Sequence, residues 1–113
     1  MTLQEIAEKL KLTVRCGEDR LDKEVERGYV SDLMSDVIAN TRQGDVWITL
    51  QIHINIVAVA VMKELSGIII IGGREPEEET LQKAREEGLP LLVTPLTAFE
   101  TAGKLYQSGL TGT

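Results

Sequence analysis

Cysteine is nearly absent. Cys16 stands alone among 113 residues, which excludes an intrachain disulfide and a cysteine-built zinc cluster. It reads as a small apolar residue closing a strand. Histidine is equally scarce. His53 has no second His, Asp or Glu at ligand spacing on its own predicted helix, so no metal site is expected. Aromatic residues are 4% of the chain, and Trp47, Tyr29, Tyr106 and Phe99 are scattered along it. Basic residues are outnumbered, the formal net charge is -6, and no Lys/Arg run interrupts the acidity. Phosphate backbones would be repelled, so nucleic-acid binding is not expected. The longest apolar run, Ile54 to Met62 with Asn55 inside it, is too short to span a bilayer. No basic stretch followed by an apolar core opens the chain, so no secretory signal or membrane attachment is expected and the cytoplasm is the expected compartment.

What is present is a globular composition, 42% hydrophobic and 27% charged. The length suits one domain over 1–113. Thr2-Leu3-Gln4-Glu5 has the form of a capping box, followed by Leu3, Ile6, Ala7 and Leu10 on one helical face. Strands are predicted at Thr13 to Cys16 and Val25 to Val30. Ser31 is then placed to cap a helix with Val30, Leu33, Met34, Val37 and Ile38 as its apolar stripe. Val46 to Thr49 is a strand by its β-branched and aromatic content. The segment from His53 to Leu65 is predicted helical despite its valines and isoleucines, because only a crossover helix fits between Thr49 and Gly67.

Gly67 to Ile71 carries four consecutive isoleucines and so has no polar face, as a central parallel strand requires. Pro76 and Glu77-Glu78-Glu79 suit a helix start, and Gly88 its left-handed end. Leu89 to Val93 is the last strand. Thr97-Ala98-Phe99-Glu100 opens a last helix expected to turn Ala98, Ala102, Leu105 and Tyr106 inward. The tail over 108–113 is expected to fray. The resulting β-α-β-α-β-α order from Val46 onward implies a mainly parallel α/β sheet flanked by helices, made mixed by the first 45 residues.

Ligands of open parallel sheets sit outside the carboxyl ends of the strands. Three loops meet that description: 49–55, 72–76 and 94–97. Their candidate ligand-binding residues are Thr49, Gln51, His53, Gly72, Gly73, Arg74 and Thr94. Gly72-Gly73 either admits a ligand close to the backbone or only turns the chain. Arg74 can hold a carboxylate or phosphate, or pair with Glu77 or Glu78. His53 can hydrogen-bond a ligand or pack beside Ile52 and Ile54. Thr49 and Thr94 can bind or cap their own turns. No phosphate loop, no dinucleotide fingerprint and no nucleophile beside a base is legible, so no catalytic residue and no cofactor is assigned.

Val46-Trp47-Ile48-Thr49, the crossover Asn55 to Met62, Gly67 to Gly73 and Leu89 to Thr94 together resemble the DRTGG domain family, with a weaker likeness at Tyr29 to Asp32. The family takes its name from an Asp-Arg pair after one strand and Thr-Gly-Gly after the next. Here Gly72-Gly73 is kept, Ile71 replaces the threonine, and Gln51 and His53 stand where the Asp-Arg pair would be. The resemblance implies a fold similar to the amino-terminal domain of HPr kinase/phosphorylase. It also implies a regulatory role beside CBS domains or fused enzymes, dimer contacts, and adenine nucleotides as ligands of the larger assembly. The expected function is therefore a non-enzymatic regulatory or ligand-sensing module for a nucleotide-like or other small anionic metabolite. The expected assembly is a homodimer through the apolar helix Ile54 to Met62, with Val57 and Val59 on the joined face. A protein–protein interaction scaffold is the alternative. An enzyme using Gln51, His53 and Arg74 is a third reading.

Overall fold

The computed structural model describes residues 1–112. Five strands form one sheet in the order β1-β5-β4-β3-β2: β1 Thr13–Cys16, β2 Gly28–Val30, β3 Val46–Thr49, β4 Gly67–Ile70 and β5 Leu91–Val93. Strands β2 to β5 are mutually parallel, and β1 runs antiparallel along β5. The sheet is therefore mixed and mainly parallel, flanked by helices on both faces.

The helices are α1 Leu3–Leu10, α2 Met34–Asn40, α3 Asn55–Met62, α4 Glu78–Glu87 and α5 Ala98–Gln107. Each parallel strand is pleated, so alternate residues feed opposite cores. On one side Val46, Ile48, Ile69 and Leu92 pack against Leu3, Ile6 and Leu10 of α1 and Leu105 of α5. On the other, Trp47, Ile68, Ile70 and Leu91 pack with Val37 of α2, Ile56, Val57 and Ala60 of α3, and Ala84 of α4. The isoleucine run of β4 is buried throughout because both of its faces are covered. None of the helices among the described residues is long and apolar enough to cross a membrane.

Local chemistry explains most boundaries. The Thr2 hydroxyl accepts from the Glu5 amide at 3.2 Å while the Glu5 carboxylate accepts from the Thr2 amide at 2.9 Å, which closes the capping box of α1. Gly88 ends α4 at φ 67°. At α5 only half a box forms, with the Thr97 hydroxyl accepting from the Glu100 amide.

Several expectations fail. β2 starts at Gly28 rather than Val25, because the Val25 amide donates to Met1 O instead of joining the sheet. α2 starts at Met34 without a side-chain cap, and only Val37 of its expected stripe is buried. Val30, Leu33 and Ile38 face outward, since this short helix covers one corner of the sheet. Tyr106 also points out, and Thr101 with Leu105 forms the inner face of α5. The tail does not fray through Gly112. Leu110 is buried, Thr111 O accepts from the Gly28 amide at 2.9 Å, and Gly112 bridges Gly28 in parallel. Thr113 lies outside the described residues.

The apolar helix α3 is covered within its own chain. Val57 and Val59 are buried, so neither lies on an outer face, and the side chains left exposed are those of Asn55, Ala58, Val61 and Met62.

Candidate functional site

The connections out of β4 and β5 go to opposite faces of the sheet, α4 to one and α5 to the other. Neighbouring parallel strands that diverge in this way open a crevice at their carboxyl ends. In this chain the crevice is laced shut. The Gly72 amide donates to Leu96 O at 2.8 Å and the Gly73 amide to Thr94 O at 3.0 Å. Both glycines adopt positive φ, 71° and 74°, to present those amides to the neighbouring loop. These two amides therefore serve the 94–97 loop.

Beside the laced crevice the loop after β3 is organised by Asp32, which follows β2. One carboxylate oxygen of Asp32 accepts from the Thr49 hydroxyl at 2.9 Å and from the Leu50 amide at 2.8 Å. The Asp32 carbonyl accepts from the Gln51 side-chain amide at 2.8 Å. Thr49 is buried, and its hydroxyl also accepts from the Gln51 amide. Thr94 is likewise buried, and its hydroxyl accepts from the Leu96 amide. Both threonines thus cap their own turns. Asp32 does not stand out in the sequence as a site residue, because its partners lie 17 to 19 positions further on.

Arg74 donates from Nη1 to Leu50 O at 2.8 Å and reaches no carboxylate within ion-pair distance among the described residues. Glu75, not Arg74, makes the ion pair of this loop, accepting both arms of Arg15 at 2.8 Å. That fork holds the Glu75 carboxyl below its usual range. Most of the Arg74 guanidinium donors therefore stay open to solvent.

His53 is exposed at the foot of α3, and its Nδ1 accepts from the Asn55 amide at 3.2 Å. The Glu77 amide and the Thr80 hydroxyl both donate to Ile52 O, which draws the start of α4 against the start of α3. Donor atoms of His53, Glu77 and Glu79 consequently lie within 4.8 Å of one another. Spacing along a single helix could not reveal this grouping. With Nδ1 accepting, a neutral ring carries its proton on Nε2, which suits donation to an anion better than ligation of a metal.

The seven expected residues thus come from three loops at one edge. Gln51, His53 and Arg74 are the ones with polar groups turned to solvent or only partly used. Thr49, Thr94, Gly72 and Gly73 build the frame. Two of the cavities outside this frame have charged linings. One of about 420 Å³ lies at the opposite edge of the sheet and is lined by residues of both charge signs, among them Arg20, Lys23, Glu64 and Glu87. The other, of about 340 Å³, lies at the carboxyl edge beside β5 and is lined by Lys9, Leu10, Lys11, Thr94, Pro95, Leu96 and Lys104. The fold assembles this basic cluster from two separate segments, contrary to the uniformly acidic impression of the sequence.

Residues 5–108 match the model of the DRTGG domain. Among curated proteins, none matches the chain by sequence. Among solved structures, the chain is similar to the CBS and DRTGG domains of the regulatory region of Clostridium perfringens pyrophosphatase, complexed with its activator, diadenosine tetraphosphate. The identity is 21%, the TM-score is 0.75, and the match covers 95% of this chain and 46% of that one. The chain therefore spans about half of the structure it matches, and the two share a fold.

Proposed function

This chain belongs to the DRTGG domain family, and from that membership we propose that it is a non-enzymatic regulatory module of the cytoplasm that senses a small anionic or nucleotide-like metabolite at the carboxyl edge of its sheet. The observation that carries the reading is Arg74, an exposed guanidinium held by the Leu50 carbonyl with its remaining donors open. Fixing a guanidinium before the ligand arrives reduces the ordering cost of binding. The Clostridium relative supports a sensing role, since its matching region is regulatory and is complexed with an activator.

Side chains elsewhere at the edge are committed to structure, which supports sensing over turnover. The Thr49 hydroxyl donates to Asp32, and the Thr94 hydroxyl accepts from Leu96. At the opposite edge, beside the start of β5, the Cys16 thiol donates to Leu89 O, and burial raises its pKa, so it is a poor nucleophile.

Thermal melts with adenosine monophosphate, cyclic adenosine monophosphate and small carboxylates test the proposal. A ligand at about 100 times its dissociation constant should add roughly 2.7 kcal/mol. Arg74→Ala should remove most of that gain for an anionic ligand. His53→Gln separates hydrogen bonding from titration, because glutamine cannot ionise. No stabilisation by any of these compounds, or turnover of ATP by the purified chain, overturns it.

We also propose that the module works as a homodimer. Since Val57 and Val59 are interior, the surface left for pairing on this side is formed by Ile38, Val61 and Met62, all exposed apolar side chains of α2 and α3. Light scattering at micromolar concentration should give twice 12.5 kDa, and Met62→Glu should halve it. A monomeric wild type removes this part of the proposal.

A protein-interaction scaffold remains the second reading. It is favoured by Phe99 and Tyr106, which are 85% and 71% exposed on the outer side of α5. Indifference to metabolites, with loss of a co-purifying partner in Phe99→Ser, would put that reading first.

A further inference from the structure

The cavity beside β5 stands apart from the Arg74 frame and has its own chemistry. We propose that it binds the phosphate chain of an oligophosphate through Lys9, Lys11 and Lys104. The proposal goes beyond the reading given for Arg74 and does not depend on it.

Three observations meet here. First, the lysines come from two helices on the same face of the sheet: Lys9 in the last turn of α1, Lys11 just past its end, and Lys104 in α5. In a chain of net charge -6, three cations around one cavity of about 340 Å³ form a local reversal of sign. Concave, low-dielectric walls concentrate such a field on whatever enters. Here the walls are Leu10, Pro95 and Leu96.

Second, no carboxylate among the described residues lies within ion-pair distance of any of the three ammonium groups. Two of the acids nearest in sequence are otherwise engaged, and Glu100, one turn before Lys104, makes no ion pair with it. Glu5 is held in the capping box, where Lys9 acts on it only through space, and Glu8 accepts from Gln4.

Third, Lys11 occupies a left-handed position, φ 56°, that helix ends ordinarily fill with glycine or asparagine. A lysine there is strained relative to glycine. Its amide closes α1 on Ala7 O, so the strained backbone sets where the side chain starts. Helix-end dipoles make lysine acceptable near the ends of α1 and α5 singly. They do not explain why all three line the same cavity.

The opposite half of the carboxyl edge sharpens the assignment. Glu77, Glu78 and Glu79 crowd the start of α4 beside His53, where a highly charged phosphate would be repelled. A ligand with several adjacent negative charges finds complementary charge only on the lysine side. Three ammonium groups suit a phosphate chain better than one carboxylate, because each can meet a separate oxygen.

The test is a titration of the full chain with inorganic tripolyphosphate, followed by calorimetry and by amide shifts of 9–11, 94, 96 and 104. Wild type should bind, and the affinity should fall as salt rises. Lys11→Gln/Lys104→Gln should weaken binding at least about tenfold, a usual loss when charge-assisted contacts are removed. All three lysines are exposed, so the variant should melt like wild type, and Lys9→Glu provides an independent charge reversal. Arg74→Ala should leave the affinity unchanged, which separates this site from the one proposed above. Equal binding of ATP and tripolyphosphate assigns the phosphate chain alone. Tighter binding of ATP assigns a nucleotide whose base lies on Leu10, Pro95 and Leu96. No binding at millimolar tripolyphosphate, or binding that survives both lysine variants, overturns the proposal.

Discussion

Gly73 has φ 74°, and a Cβ built there would meet nothing within 4 Å. Its requirement is therefore conformational and not steric. Gly73→Ala should cost about 1 kcal/mol, the penalty of a left-handed alanine, and should leave neighbouring side chains in place. A melt together with an amide spectrum checks both; a loss of several kcal/mol would mean that the lacing to Thr94 had broken. Arg27 acts on the opposite edge, where its Nε donates at 2.9 Å to the fully buried Asp45. The second oxygen of Asp45 accepts from the Arg42 amide. Arg27→Ala removes the cation and leaves a buried carboxylate, so a loss of about 3 kcal/mol is expected in urea unfolding. A change under 1 kcal/mol would show that the other groups around Asp45 hold its charge without the guanidinium. These roles were hidden in the sequence for one reason. Asp32, Asp45 and the amides of Gly72 and Gly73 find partners that depend on which strands become neighbours. Residue type marks Arg74 and His53 as donors, but it could not tell that Gly73's amide was already committed or that three lysines would meet.

At the level of elements, α1 carries a pH signature. Its Glu5 carboxyl is held below its ordinary value of 4.5, first by the Thr2 amide and then by the Thr2 hydroxyl. A depressed carboxyl contributes stability that is present above the unfolded value and is lost as pH falls through the folded one. Wild type should therefore lose stability below about pH 4.5 more steeply than Glu5→Gln, which cannot titrate there. Urea titrations at a series of pH values compare the slopes, and identical slopes would exclude the box as the source. The same box was readable from four residues, as were the glycine end of α4 and the isoleucines of β4, because each is decided by neighbours in the chain. α3 was readable as a helix only through the need for a crossover, and its surroundings were not readable at all. An apolar helix is covered either by its own domain or by another, and composition does not distinguish the two. Val57→Glu should accordingly unfold the chain, since it places a carboxylate in the core between sheet and helices. Met62→Glu should fold normally. A folded Val57→Glu protein would mean that α3 can turn its buried side outward.

On the scale of the whole molecule, parallel strands β2 to β5 lie side by side in chain order, with β1 closing the far edge beside β5. The alternation of elements predicted the parallel part. The placement of β1 beside β5, and the divergence of α4 and α5, had no local signal, since they express how α1 and α5 share the second face. That sharing also decides the course of both ends of the chain. Thr2 bridges Glu24, and Gly112 bridges Gly28. Both ends are thus fastened to one stretch, 24–28, whose four intervening steps span at most about 14 Å when extended. Ends held so near each other can be joined by a few glycines and serines, and a new opening can be cut at an exposed turn such as Arg42-Gln43. A circularly permuted chain of this kind should retain the fold and the cooperative melt of the original order. For the same reason the unit can sit inside a longer polypeptide as an insertion, entering and leaving its host at a single point.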